Sequence, residues 1–318
     1  MSVNNFSPVD GRVYPRFSGI KTFYRLPFLP DEASLQAADV ALLGAPFDGG
    51  TSYRPGARFG PEKIRSMSSL GRGHHPEHDV NIFKGMKVGD AGDCPVTPQD
   101  ISKTHAQIKE RVAEVLKAGT FPMVVGGDHS TTIGTLDALV AHHGPLGIIH
   151  FDAHTDTYPA AWGCDVHHGT FMRLGKERGW FRENAVVQVG IRGPFSTEQD
   201  IHVPTQYGYR VFTVDDVKQQ GVGAVVQHIQ QLDDGPFFIS FDIDCLDPSC
   251  APGTGTPVPG GLSTWEAQQI LRATSHINVV GADLVEVSPP YDHHDITALT
   301  GVTVIWEILS AVAARLGK

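Results

Sequence analysis

Seven short runs rich in Val, Ile and Leu recur along the chain. They are DVALLGAP from Asp39, MKVGDAGD from Met86, FPMVVGGD from Phe121, LGIIHFDAH from Leu146, NAVVQVGIR from Asn184, PFFISFDID from Pro236 and NVVGADLVEV from Asn278. Several are apolar at nearly every position instead of every second one. That is how strands covered on both faces of a parallel sheet read. Helical patterns fall between them: one opening near Pro61, then 101–116, 130–142, 222–232, 263–273 and 299–316. A proline suits the first turn of a helix, which supports the start at Pro61. Strand–helix alternation over the whole length predicts an α/β fold, one three-layer α/β/α domain with right-handed crossovers. It spans residues 1–318, with 1–35 as an N-terminal extension packing on it. No linker-like stretch or internal repeat divides it.

Ligands of such sheets lie beyond the carboxyl ends of the strands. Three of these ends carry unusual residues: VVGGDHS with Asp128 and His129, HFDAHTD with Asp152, His154 and Asp156, and ISFDIDCLDP with Asp242 and Asp244. In extended chain, residues two apart point the same way. Neighbouring strands lie about 5 Å apart, so these groups can meet. Five carboxylates and two histidines brought together would push one another's pKa values up steeply, and two divalent cations would relieve that. Carboxylate oxygens with only two imidazoles favour a hard ion such as Mn²⁺. Two such ions about 3.5–4 Å apart can activate water for attack on an electrophile. Taken one at a time, the residues also have plainer readings. Asp128 fits a helix N-cap, His129 a buried structural histidine, and Asp244 and Asp247 loop carboxylates.

Composition narrows the partners. With 35 acidic against 25 basic residues, the formal net charge is -10, which argues against a sequence-independent nucleic-acid binder. The same charge suits a cationic small molecule. No apolar run approaches the roughly 20 residues of a membrane span, so no membrane partner is expected. The start MSVNNFSPVDGRVYPRF lacks a basic segment followed by an apolar one, and the four cysteines form no closely spaced pairs. A cytoplasmic protein without a zinc–thiolate site is therefore expected. Cys245 and Cys250 read as buried bystanders.

Together, GGDHS, DAHTD and SFDIDCLDPSCAPGTGTPVPGG resemble the ureohydrolase superfamily, the arginase and agmatinase group, and within it the agmatinase-like branch. The resemblance runs from GAPFDGGTSYRPGARFGP to EVSPPYD. It implies an arginase-type α/β/α fold with a central, mostly parallel sheet. It also implies two Mn²⁺ per chain, hydrolysis of a guanidino group to urea and an amine, and a homotrimer or homohexamer. Carried over by position, the metal ligands are His129, Asp152, His154, Asp156, Asp242 and Asp244. Asp152 and either Asp242 or Asp244 would touch both ions. His168, in VHHGTF, matches the catalytic histidine, and Glu286, in DLVEVSPP, the glutamate that holds the substrate guanidinium. Paired hydrogen bonds from a planar guanidinium to Glu286 would fix its central carbon. His168 would protonate the leaving nitrogen, with Asp156 relaying the proton. Of the adjacent His167 and His168, one is expected to be structural, because neighbours on an extended loop face opposite ways.

The tail of the substrate rests on fewer residues. The interval TYPAAWGCDVHHG resembles agmatinases and their guanidino-acid relatives. Asp165 within it would suit the ammonium of agmatine, so agmatinase activity, agmatine to putrescine and urea, is the first expectation. Against that, Arg192, His167, His202 and His293 offer an anion site for a guanidino acid, as in guanidinobutyrase or guanidinopropionase. Trp162 and Tyr158 would narrow the pocket, which makes Asp165, Trp162, His167 and Glu286 the expected substrate-binding set. A non-catalytic metal-binding relative is the remaining alternative.

Overall fold

The computed structural model describes residues 5–318. Its centre is one eight-stranded sheet. The strands are Val40–Ala45 (β1), Val88–Asp93 (β2), Phe121–Gly126 (β3), Leu146–Phe151 (β4), Phe181–Ile191 (β5), Arg210–Thr213 (β6), Pro236–Asp242 (β7) and Asn278–Val285 (β8). Their order is β2-β1-β3-β8-β7-β4-β5-β6, and every pairing is parallel. This is the three-layer α/β fold expected from the alternation of elements.

The sheet has an apolar core on each face, which explains the unbroken apolar runs. Leu42, Val125, Ile149, Val187, Ile239 and Leu284 enter one core. Their neighbours Leu43, Val124, Ile148, Val186 and Phe238 enter the other. Successive residues of one strand thus serve opposite cores. Helices Gly60–Met67, Val222–Gln230, Thr264–Ala273 and Ile296–Arg315 cover the first face. Ile101–Lys117, Thr131–His143 and Phe171–Glu177 cover the second.

Several short elements escaped the hydrophobic pattern, three of them in or beside the main sheet. β6 is four residues long and half exposed at the sheet edge, and helices Phe171–Glu177 and Val214–Gln220 have only seven residues each. Segments that short show too few periods to be read. The last helix also departs from expectation. By length and composition Ile296–Arg315 is apolar enough to cross a bilayer, but most of it is buried among the other elements. A helix apolar on nearly all sides is a core helix when other elements surround it.

That helix carries one buried charge. Glu307 is fully buried and accepts hydrogen bonds from Arg272 Nε at 3.1 Å and Nη2 at 2.9 Å. His75 Nε2 lies 2.9 Å from it, and Trp306 stacks on the His75 ring at 4.4 Å. Removing one member of a buried ion pair leaves the other uncompensated. Glu307→Ala is expected to cost about 3 kcal/mol, the lower end for breaking such a pair because Arg272 stays partly solvated. Urea unfolding would measure it, and an unchanged midpoint would show that this network contributes nothing.

The extension, apart from residues 1–4, which lie outside the described residues, anchors through Phe23, Tyr24, Leu26 and Leu29, all buried. Tyr24 Oη donates to the carbonyl of Val302, and at the β2 edge Leu29 N donates to Asp90 O while Asp90 N donates to Pro27 O. For function, the strand order matters most. β3 and β4 come from one part of the chain and β7 and β8 from another, yet the four lie side by side in the sheet, so their carboxyl ends open onto one place.

Candidate functional site

His129 leaves β3 through the turn Gly126–Gly127–Asp128. This turn is jammed against the loop after β1: Gly127 N donates to Ala45 O, and Asp128 N to Phe47 O. A Cβ on Gly127 would stand 1.7 Å from the Phe47 carbonyl oxygen, so only glycine fits. Asp128 Oδ1 accepts from Ser130 N and Oδ2 from Gly50 N. It therefore does cap-like work and also ties two loops around His129. Gly127→Ala must displace backbone and is expected to cost about 1–3 kcal/mol as overpacking. It should also weaken metal binding, because His129 moves with the turn. A variant with normal melting and normal metal content would refute this.

The six expected ligands come together. His129 Nδ1 lies 3.1 Å from Asp152 Oδ2, 3.0 Å from Asp156 Oδ2 and 3.2 Å from Asp242 Oδ2. His154 Nδ1 lies 3.3 Å from Asp152 Oδ1 and 3.1 Å from Asp244 Oδ2. The two oxygens of Asp152 face different groups, so Asp152 is the carboxylate shared between two clusters of donors. Ligands about 2.1 Å from an octahedral ion stand about 3 Å from one another, which is the spacing here.

Two further observations fit cations at this place. His129 Nδ1 and Asp156 Oδ2 are buried with no hydrogen-bond partner. Ser240 Oγ donates to Asp283 Oδ1 at 2.7 Å, so it accepts from His129 Nε2 at 2.9 Å. With its proton on Nε2, His129 presents the Nδ1 lone pair to the cluster. Electrostatics agree. Burial, then the charges of Asp244 and Asp152, hold Asp242 well above the usual carboxylate range. Burial likewise raises Asp244, with Asp152 adding to it against the opposing pull of His154. Burial disfavours charge on His129 and His154, yet the surrounding carboxylates raise both well above the usual imidazole range, so protons balance part of the negative charge where cations would otherwise do so.

Beside the cluster stands a second group. His168 Nδ1 is 2.9 Å from Glu286 Oε1, and the same oxygen accepts from the backbone N–H of His129. Glu286 Oε2 is buried and unpartnered. Ser52 Oγ lies 2.7 Å from His168 Nε2. Burial alone would lower the His168 pKa. Its hydrogen bond to Glu286 and the charges of Glu286, Asp128 and Asp156 outweigh this and raise it to about 9. Glu286 and Asp156 have φ of 63° and 51°, a left-handed backbone uncommon for either. Such strain collects where surroundings dictate a side chain's aim.

A cavity of about 610 Å³ opens above these groups, with Tyr158, Trp162, His167, Ser196 and Asp200 in its walls. Trp162, largely exposed at φ 53°, and Gly163 form the tip of a tight turn closed by Ala161 and Cys164. Asp165 is not in the wall: its carboxylate accepts from Arg173 Nη2 at 2.8 Å. His167 folds the loop, with Nε2 3.1 Å from Pro159 O and Nδ1 accepting from Gly169 N. Arg192 donates to five backbone carbonyls, of Gly190, Asp244, Cys245, Leu246 and Val258, so it braces the loop after β7 and reaches no ligand. Neither His202 nor His293 lines the cavity. Asp247 accepts from Gly260 N and Gly261 N and ties down the glycine- and proline-rich loop. Cys245 is buried.

Ser52, Ser240, Asp283 and Asp200 join the site without having been among the expected residues. Ser240 and Asp283 stand alone among apolar strand residues, and that break in pattern was their only signal. Ser52 and Asp200 sit in polar loops that look like any other.

A model of the arginase family matches residues 38–311. Guanidinopropionase from Pseudomonas aeruginosa is 42% identical over 315 residues, 98% of this chain and 98% of that protein. Mitochondrial agmatinase from Gallus gallus is 38% identical over 303 residues, 95% of this chain and 88% of that one. The solved structure of proclavaminate amidino hydrolase from Streptomyces clavuligerus superposes with a TM-score of 0.89 at 40% identity. It covers 95% of this chain and 99% of its own.

Proposed function

The chain belongs to the arginase family and is a ureohydrolase, and from that premise we propose that it uses two Mn²⁺ ions to hydrolyse a short guanidino acid to urea and an amino acid. The observation that carries the choice of substrate is the placement of Asp165. Its carboxylate is engaged by Arg173 outside the cavity, which removes the acid expected to greet the ammonium of agmatine. Tyr158 lines the cavity instead, and its hydroxyl has no hydrogen-bond partner among the described residues. Burial raises its pKa to about 12, so the phenol keeps its proton and can donate to a tail carboxylate. Guanidinopropionase and proclavaminate amidino hydrolase, both named for substrates bearing a carboxylate, support the same reading. Agmatine remains the second reading, favoured by Asp200 at the cavity wall and by the lack of any Lys or Arg lining it.

His129 with Asp152, Asp156 and Asp242, and His154 with Asp152 and Asp244, would hold the cations. When bound, such a pair supplies Lewis acidity and a deprotonated nucleophile near neutral pH. The hard oxygen-rich donor set favours Mn²⁺. Glu286 lies behind the cavity lining, with Oε1 fixed by two partners and buried Oε2 without one, so a guanidinium reaching past His168 would find an acceptor there that sets its carbon in place. Asp156, on the cavity wall, accepts the proton released as water adds to that carbon. His168 carries a proton below its raised pKa and faces the cavity, so it delivers that proton to the departing nitrogen as the C–N bond breaks.

Assembly as a homotrimer or homohexamer belongs to the same proposal. Val13, Tyr14, Phe17 and Ile20, largely exposed on the extension, are apolar side chains such an assembly would cover.

Urea release from 3-guanidinopropionate, 4-guanidinobutyrate, agmatine and arginine, each offered to Mn²⁺-loaded protein, tests the substrate. A kcat/KM at least about tenfold higher for one of the acids than for agmatine is expected, equivalent to roughly 1.4 kcal/mol of differential binding. Preference for agmatine would overturn the assignment of the tail and point to Asp200.

A further inference from the structure

A row of polar side chains crosses the sheet beneath the ligand cluster. Asp283 on β8, Ser240 on β7, His150 on β4 and Gln188 on β5 are register partners on four adjacent strands. All four are at most 1% exposed, although the strands around them are apolar. Buried polar groups persist only where they are satisfied or used. Asp283 and Ser240 orient His129, as described above. The other half of the row ends on Asp152: His150 Nε2 is 2.9 Å from Asp152 Oδ2.

The roles of the two His150 nitrogens follow from Gln188. Its Nε2 lies 2.9 Å from both His150 Nδ1 and the Thr155 carbonyl oxygen. A carbonyl oxygen only accepts, so the amide nitrogen must face it, and the same nitrogen donates to Nδ1. Leaving Gln188 Oε1 without a partner is a lesser penalty than setting two carbonyl oxygens face to face. His150 Nδ1 is therefore the acceptor, and Nε2–H is aimed at the shared carboxylate. His150 stands close enough to His129, Asp152 and Asp156 to count as a ligand by distance alone. The direction of its hydrogen bonds argues against that, because the nitrogen facing the cluster carries a proton and has no lone pair to offer.

We propose that His150, set by Gln188, is a positioning residue that holds the carboxylate of Asp152 so that its two oxygens face two cations. The proposal rests on the metal-centre reading above. Its chemistry is that of an outer partner orienting an inner one, where loss of the partner costs roughly 10- to 100-fold in metal affinity. His150→Phe removes the donor while keeping a ring against Phe171, whose ring centroid lies 5.0 Å away. In His150→Gln the side-chain amide nitrogen can stand near the place of the imidazole Nε2. Gln188→Leu leaves His150 in place without its director.

The test is calorimetric titration of Mn²⁺ into chelator-treated wild type and the three variants, with melting of each in the metal-free state as the check on folding. Wild type should take up two equivalents. His150→Phe should melt like wild type without metal and bind Mn²⁺ roughly 10- to 100-fold more weakly. His150→Gln should recover most of that loss, and Gln188→Leu should fall between. Wild-type affinity in His150→Phe overturns the proposal and leaves the metal centre standing. Loss of a whole equivalent in His150→Gln also overturns it, by making His150 a ligand. No uptake by wild type removes the metal-centre reading itself. Should His150→Phe fail to fold, Gln188→Leu decides alone, and unchanged affinity there is the overturning result.

Discussion

Asp152→Ala should end urea release and strip the protein of bound Mn²⁺. Asp152 is the residue whose oxygens face both donor clusters, Oδ2 toward His129 and Oδ1 toward His154. On the proposed metal centre, its removal would take one ligand from each cation and uncouple them. Lewis-acid stabilisation is worth several kcal/mol of barrier, so activity should fall by at least about 10³-fold. Metal analysis after gel filtration should find less than one equivalent. Asp244→Ala offers a contrast, because it touches only the His154 side: one ion should weaken more than the other. If Asp152→Ala kept two ions and full turnover, the assignment of the site would be wrong.

His168→Asn should give the opposite division, with metals kept and turnover lost. None of the metal ligands is hydrogen-bonded to the His168 side chain, whose partners are Glu286 and Ser52. An asparagine amide can stand in for Nδ1 and keep the hydrogen bond to Glu286 Oε1, but it has nothing to replace Nε2 at the cavity. A general acid contributes about 10²–10⁴-fold, and kcat should drop by that amount at unchanged Mn²⁺ content. The pH profile gives a second readout. In wild type the acid form is present below the His168 pKa, so activity should decline as pH rises through it. That decline should fall at or below about 9, since two bound cations disfavour charge on the imidazole. The variant should lack it. Unchanged kcat, or an unchanged alkaline decline, would remove His168 from the reaction.

Much of this protein could be read from the order of its residues. Seven of eight strands showed as apolar runs because burial on both faces demands apolar side chains at every position. Five of the six expected ligands stood out because DAHTD and FDID place carboxylate and imidazole at alternate positions just past an apolar run, where an extended chain turns them to one side, and His129 follows another such run in GGDHS. The same spacing could not say which aspartate is shared. That depends on where β3, β7 and β4 end relative to one another, a property of sheet order and register.

Long-range partners were decided by the tertiary structure alone. Asp165 looked like a substrate ligand until Arg173, on the following helix, was found to hold it outside the cavity. Arg192 looked like an anion site and proved to be a brace for five carbonyls. Local pattern records which face a residue presents. It does not record which of many charged groups folding will bring to that face. The row Asp283–Ser240–His150–Gln188 shows the same limit, because each of its residues is a lone polar break in a separate strand. Elements and ligand types are dictated by short-range sterics and burial and so are written along the chain. The shared carboxylate, the polar row and the cavity wall depend on strands that meet only in the folded sheet.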